Sequence, residues 1–207
     1  MHEQPGLRIR PSAEESVVLA GSLRFSADKP GLERIEDEFE VEIAVPNQFP
    51  NEIPQVWETG GRIPKSYHKL VDLSLCLGSP ARLRMLVKGE PTLLAFVRKC
   101  VIPYLYGFSL RSQCGLLPFG ELAHGVGGLI QDYAELFGVA PGEAVVEMVR
   151  LASLNKRDAN RQRCPCGSGR RLGRCHNRRV NEMRKLLGRR WLAEEYCRLT
   201  RMRSRAV

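Results

Sequence analysis

Apolar and polar positions alternate twice in the first quarter of the chain. Val17, Leu19, Gly21, Leu23 and Phe25 fall on every second residue, and Phe39, Val41, Ile43 and Val45 alternate with Glu38, Glu40, Glu42 and Ala44. A period of two turns one set of side chains to a core and the other to water, so each run predicts a strand of an antiparallel sheet. Ala27-Asp28-Lys29-Pro30-Gly31 closes the first run as a turn. A short third strand is expected over Gln55–Glu58, opened by Pro54 and ended by Thr59-Gly60-Gly61. Residues 1–15 are polar and predict no element.

The period then lengthens. Leu93, Phe96, Val97, Cys100 and Val101 recur at steps of three and four, which predicts a helix between Pro91 and Pro103 with Cys100 on its buried stripe. Residues 109–127 read as a loop. Leu129, Tyr133, Leu136 and Phe137 predict a second helix stopped by Gly138, and Pro141 opens a third with Val145, Met148, Val149 and Ala152 on one side. Val180, Met183, Leu187 and Trp191 form a last stripe set among arginines, with Gly188 a candidate break. Strands first and helices after make the fold class α+β, an antiparallel meander with helices packed on it.

Charge changes this picture by marking a boundary. Residues 155–207 hold 17 Lys and Arg against 4 Asp and Glu, which leaves 15 against 19 in residues 1–154. Two domains are therefore expected, 1–154 and 155–207. A basic tail suits an anionic partner, nucleic acid or an acidic protein, or else a solvated arginine-rich helix. No membrane span is expected, because the most apolar stretch, residues 93–108, is interrupted by Arg98-Lys99 and Pro103. The first residues have neither the basic start nor the apolar run of a signal peptide, so a cytoplasmic address is expected. The seven cysteines then read as ligands, nucleophiles or core residues, not as a disulfide frame.

Residues 67–80 carry the first candidate chemistry. Cys76 lies eight residues after His68, between Leu75 and Leu77, and is followed at once by Gly78-Ser79-Pro80. That setting suits a thiol at the mouth of a loop. Lys69, Arg82 and Arg84 add positive charge that favours a thiolate, and His68 is placed to orient the loop or to move a proton. The other reading of the same residues is a small buried hydrophobe and a structural histidine. A cysteine hydrolase built on Cys76, His68 and Asp72 fits less well, since such sites draw their histidine from elsewhere in the fold.

Phe49-Pro50 and Pro54, a following strand, His68 and Leu75-Cys76-Leu77 together resemble ubiquitin-conjugating enzymes. In that family a Tyr-Pro-x-x-Pro-Pro type segment, a strand and a His-Pro-Asn motif precede the acyl-carrying cysteine. The chain is more closely similar to bacterial conjugating-enzyme-like proteins with a Leu-Cys-Leu-Gly-Ser type active site and a later Gly-Glu-x-x-His-Gly segment. These correspond here to residues 75–79 and 120–125, the latter containing His124. The resemblance covers roughly residues 16–138. It implies an enzyme of ubiquitin-conjugating-like (UBC-like) fold that forms a thioester on Cys76, assisted by His68, and transfers the acyl group to an amine. It also implies an activating enzyme as partner. The acyl donor would be the C-terminus of a ubiquitin-like protein or of an antiphage-signalling nucleotidyltransferase. The motif's asparagine has no counterpart, since Lys69 and Leu70 follow His68, so Ser74, Ser79 or backbone amides would have to hold the oxyanion. The rival expectation is a catalytically inactive fold of this type, an adapter that binds nucleic acid, ribosome or an acidic protein through its C-terminal part.

That part holds the second candidate site. Cys164 and Cys166, a glycine-rich turn, then Cys175-His176 can converge on one tetrahedral ion, and Cys₃His is a closed, structural zinc set with no position left for substrate. So small a segment has almost no core and needs the metal to fold. It is similar to the SEC-C motif, the zinc knuckle at the C-terminus of the ATPase of bacterial protein export.

Overall fold

The computed structural model describes residues 4–10, 16–115 and 125–204. The chain divides into two compact units, Met1–Glu121 and Leu122–Val207.

The first unit is built on a four-stranded antiparallel sheet in sequence order, β1 (Leu7–Arg10), β2 (Ser16–Ala27), β3 (Ile35–Pro46) and β4 (Gln55–Glu58). The β2–β3 register sets Leu19 opposite Ile43 and Leu23 opposite Phe39, all four buried. Between them Glu40 stays exposed and Glu42 partly so, as the alternation requires. β1 is an addition to the sequence reading. Leu7-Arg8-Ile9-Arg10 does alternate, but over four residues only, and of its apolar pair Leu7 is buried while Ile9 is exposed. Two glycines let it approach β2: a Cβ on Gly21, which has φ +131°, would lie 2.3 Å from the Gly6 carbonyl oxygen.

Helix α1 (Pro80–Gly89) follows the thiol loop. Then α2 (Leu93–Phe96), a π-helical turn (Val97–Val101) and α3 (Ile102–Cys114) run on as one helix, Leu93–Cys114. The expectations of a helix end near Pro103 and a loop from 109 are corrected. Pro103 stands in the first turn of α3, directly after the wide π turn, where a missing N–H does least harm. Among the described residues Leu93–Cys114 is the one helix long and apolar enough to cross a membrane, yet it is 61% buried and serves as a core helix. α3 packs on β2 and β3, with Phe108 edge-on to Phe39 at 6.0 Å and to Tyr67 at 5.0 Å between ring centroids. Cys100 is buried in this core, as its stripe position predicts.

The second unit contains α4 (Gly125–Phe137), α5 (Glu143–Ser153), α6 (Lys156–Arg161), a 3₁₀ turn (Leu172–Arg174), α7 (Asn177–Leu187) and α8 (Arg189–Ser204), with Gly188 as the expected break. Its start at 122 lies well before the charge step at 155, because α4 and α5 pack with α7 and α8. Tyr133 donates to the buried Glu195 carboxylate at 2.6 Å. Arg184 donates to the carbonyls of Leu151 (2.8 Å) and Ala152 (2.9 Å), Arg189 to that of Ser153 (3.2 Å), and Arg179 to that of Leu136. Arginines of the basic tail thus close the C-terminal ends of α4 and α5, whose last carbonyls have no partner within the helix.

Candidate functional site

The thiol loop is an extension of the sheet. Leu75 donates its N–H to the Val56 carbonyl of β4 at 2.7 Å, and Lys69 and Leu75 form an antiparallel bridge. His68 and Cys76 are the next opposed pair, joined by a Cys76 N–H···O His68 bond of 2.8 Å. The loop between them is closed locally. Asp72 accepts from the Ser74 N–H (3.1 Å) and hydroxyl (2.6 Å), while Gln55 donates to its carboxylate and Trp57 to its carbonyl. The Ser74 bonds hold the Asp72 carboxyl below its usual range. Asp72 therefore shapes the turn, and Ser74, buried and committed to it, does not face an oxyanion. Ser79 caps α1, its hydroxyl oxygen accepting from the Arg82 N–H.

Beneath the loop lie groups that sequence reasoning did not find. Tyr104 of α3 donates its hydroxyl to the carbonyls of Tyr67 (3.0 Å) and His68 (3.1 Å). Burial pushes its phenol far above the ordinary value, so it remains a donor. His68 and Leu73 adopt left-handed backbone, with φ of 36° and 66°, a conformation the surrounding bonds must hold in residues that are not glycine. Glu58 accepts from the N–H groups of Arg62 and Ile63 at 3.0 Å each and lies 3.9 Å from Lys69 Nζ; the two side chains are 0% and 9% exposed. No local signal marked Tyr104, whose partners lie more than thirty residues away, or the pairing of Glu58 with Lys69, eleven residues on.

The electrostatics differ from the charge-based expectation. Lys69 faces Glu58, and Arg84 donates to the Asn51 carbonyl. The half-buried Cys76 thiol is pushed above its ordinary pKa by burial, with the Gly78 backbone amide acting the other way. A raised pKa means less thiolate at neutral pH. Cys76 is expected to alkylate more slowly than a free cysteine at pH 7, with a rate still climbing above pH 9. Iodoacetamide labelling followed by peptide mass spectrometry checks this, and a rate plateau below pH 8 contradicts it. His124 and residues 120–124 of the glycine-rich segment lie outside the described residues.

The second site is the cluster Cys164, Cys166, Cys175 and His176, whose ligand atoms all lie within 4.8 Å of one another. Cys164 Sγ and Cys175 Sγ each stand 3.2 Å from His176 Nδ1, and Cys166 Sγ is 3.5 Å from Cys175 Sγ. Zinc–ligand bonds of about 2.0–2.3 Å at tetrahedral angles give ligand separations close to these, so the donor set fits Zn²⁺. The local chain is shaped for it. Arg163 and Arg171 bridge antiparallel, Cys164 N–H donates to the Arg170 carbonyl at 2.8 Å, and Gly167 and Gly169 make the turn at φ +79° and +71°. Leu172, fully buried, is the segment's apolar anchor.

His176 Nε2 lies 3.1 Å from the Gly138 carbonyl at the end of α4. Donation there fixes the tautomer that leaves Nδ1 free for the metal. The Ser168 hydroxyl, 3.3 Å from Cys166 Sγ, helps bring that thiol down to about 6, whereas burial lifts Cys164 to about 11. A bound zinc would hold all three as thiolates.

No curated protein and no solved structure matches the chain. Residues 161–178 match the SEC-C motif, and the four ligands of the candidate zinc centre all fall within that match.

Proposed function

We propose that the first unit is an acyl carrier of ubiquitin-conjugating-like type. The observation that carries the reading is the opposition of His68 and Cys76 across a hairpin tied to β4, on a meander sheet backed by a core helix. It adds to the motif resemblance around Leu75-Cys76-Leu77. In the reaction, Cys76 Sγ loses its proton and attacks the carbonyl carbon of an acyl thioester carried by an activating partner. The partner's thiolate leaves and takes up a proton. A primary amine then adds to the Cys76 thioester, the C–S bond breaks as the amide C–N bond forms, and the amine's proton returns the cysteine to a thiol. We assign His68, opposite Cys76 in the hairpin, to carry that proton. The Gly78 backbone amide, which is bonded to the Cys76 thiol, takes the place of the missing asparagine. The raised Cys76 pKa suits a thiol that becomes nucleophilic only when a partner docks and supplies a base.

A ubiquitin-like protein or an antiphage-signalling nucleotidyltransferase fits as donor. The test is intact mass of wild type and Cys76→Ser, each co-expressed with its genomic neighbours. A thiol-sensitive adduct on wild type that becomes a thiol-stable ester on Cys76→Ser is expected, its mass identifying the cargo. No adduct on either protein favours the adapter reading.

A further inference from the structure

We infer that the zinc knuckle is a binding surface for the phosphate backbone of nucleic acid, read without base contacts. This is independent of whether Cys76 carries an acyl group. Two groups of arginines in the second unit differ in what they touch. Arg179, Arg184, Arg189, Arg190, Arg198 and Arg203 are engaged with helix-end carbonyls or with carboxylates. Arg161, Arg163, Arg170, Arg171, Arg174 and Arg178 are all exposed, and among the described residues no carboxylate forms an ion pair with any of them. The second set lies within residues 161–178, where six such charges fall in eighteen residues; Lys156, Arg157, Lys185 and Arg201 are exposed outside it and more widely spaced.

The geometry concentrates this charge. Arg163 and Arg171 are directly opposed in the bridge, where like charges repel and cost stability. The metal ligands at 164 and 166 on one side and 175 and 176 on the other would hold them together against that repulsion. An arrangement that works against the fold is relieved when a polyanion is bound. The chemistry of the set favours phosphate. Residues 161–178 contain six arginines, no lysine and no aspartate or glutamate. Guanidinium forks match phosphate oxygens bidentately.

The same residues argue against a protein partner. Specific protein interfaces are centred on desolvated aromatic or apolar anchors. This segment has no Phe, Tyr or Trp, and Leu172 is buried. The lack of aromatic rings also removes base stacking, which leaves backbone contact as the mode.

The experiment is fluorescence anisotropy of the full-length, zinc-loaded protein with two labelled DNA duplexes of unrelated sequence, from low to moderate salt. Equal affinity for both is expected, and six phosphate contacts give a log–log salt slope of about −5. Arg163→Gln/Arg171→Gln should weaken binding to both duplexes and reduce the slope by about 2. Arg163→Lys/Arg171→Lys, which keeps the charge should the Gln pair fold poorly, should retain most of the slope. Arg190→Gln, on α8 and paired with Glu194, should change little. Salt-independent binding, an unchanged slope in the Gln pair that still holds its zinc, or equal competition by polyglutamate overturns the proposal. The last result would assign the surface to acidic protein.

Discussion

Chelation of the zinc-loaded protein is expected to release one metal ion per chain, unfold residues 161–178 and loosen the C-terminal end of α4. Cys175→Ser should have the same effect at the level of expression. The ligand atoms converge within a segment whose apolar content is little more than Leu172, so its free energy of folding is essentially that of metal binding. For knuckle-sized peptides that is about 10–16 kcal/mol. The loss reaches α4 because His176 spans both, with Nδ1 toward the thiols and Nε2 toward the Gly138 carbonyl. Arg179, one turn beyond the ligand pair, closes the same helix end at Leu136. Metal content by atomic absorption and amide exchange before and after chelation check this. Cobalt substitution should give the charge-transfer absorption of thiolate ligands. Amide protection at 134–138 that is unmoved by chelation would show that α4 does not depend on the metal.

Lys69→Met should destabilise the first unit by about 3–5 kcal/mol, the cost of leaving a buried charge without its partner. Glu58 has no accessible side-chain surface, and Lys69 is its one cationic neighbour within ion-pair distance among the described residues. The two backbone N–H groups at 3.0 Å satisfy the carboxylate oxygens but do not neutralise them. Removing the charge from both sides, as Glu58→Gln/Lys69→Met, should recover much of the loss. Urea unfolding in a Trp191→Phe background measures it, since Trp57 then reports on the first unit through its place at the end of the sheet. Lys69 also sits between His68 and the loop that Asp72 closes. The single mutant should therefore expose the thiol and speed Cys76 alkylation at neutral pH. Equal stability of wild type and Lys69→Met would mean the pair is solvated in solution.

What was legible in the sequence is what depends on period. β2 and β3 were written in alternate residues, α4 and α5 in stripes, and Gly138 and Gly188 ended helices where expected. α1 left a sign that was passed over: Ser79-Pro80, a capping hydroxyl followed by a proline in the first turn. The clustering of Cys164, Cys166, Cys175 and His176 was legible because their spacing brings them together. The unit boundary was not, because charge reports what a surface needs while packing follows apolar faces, and α4 and α5 present theirs to α7 and α8. The setting of Cys76 was misjudged for a related reason. Three nearby cations in sequence favour a thiolate only if they point at it, and Lys69 and Arg84 point elsewhere.

The π turn at Val97–Val101 has a bearing on the thiol some distance away. One extra residue in a helix rotates everything after it by about 100° relative to everything before. α2 and α3 are thus two helices out of phase, each free to turn its own apolar side to the core. Wound without that insertion, the same sequence would carry the Tyr104 hydroxyl a quarter-turn or more away from the two carbonyls it holds. The hairpin that sets His68 opposite Cys76 is therefore timed by the pitch of a helix whose first turn begins seventeen residues further along the chain.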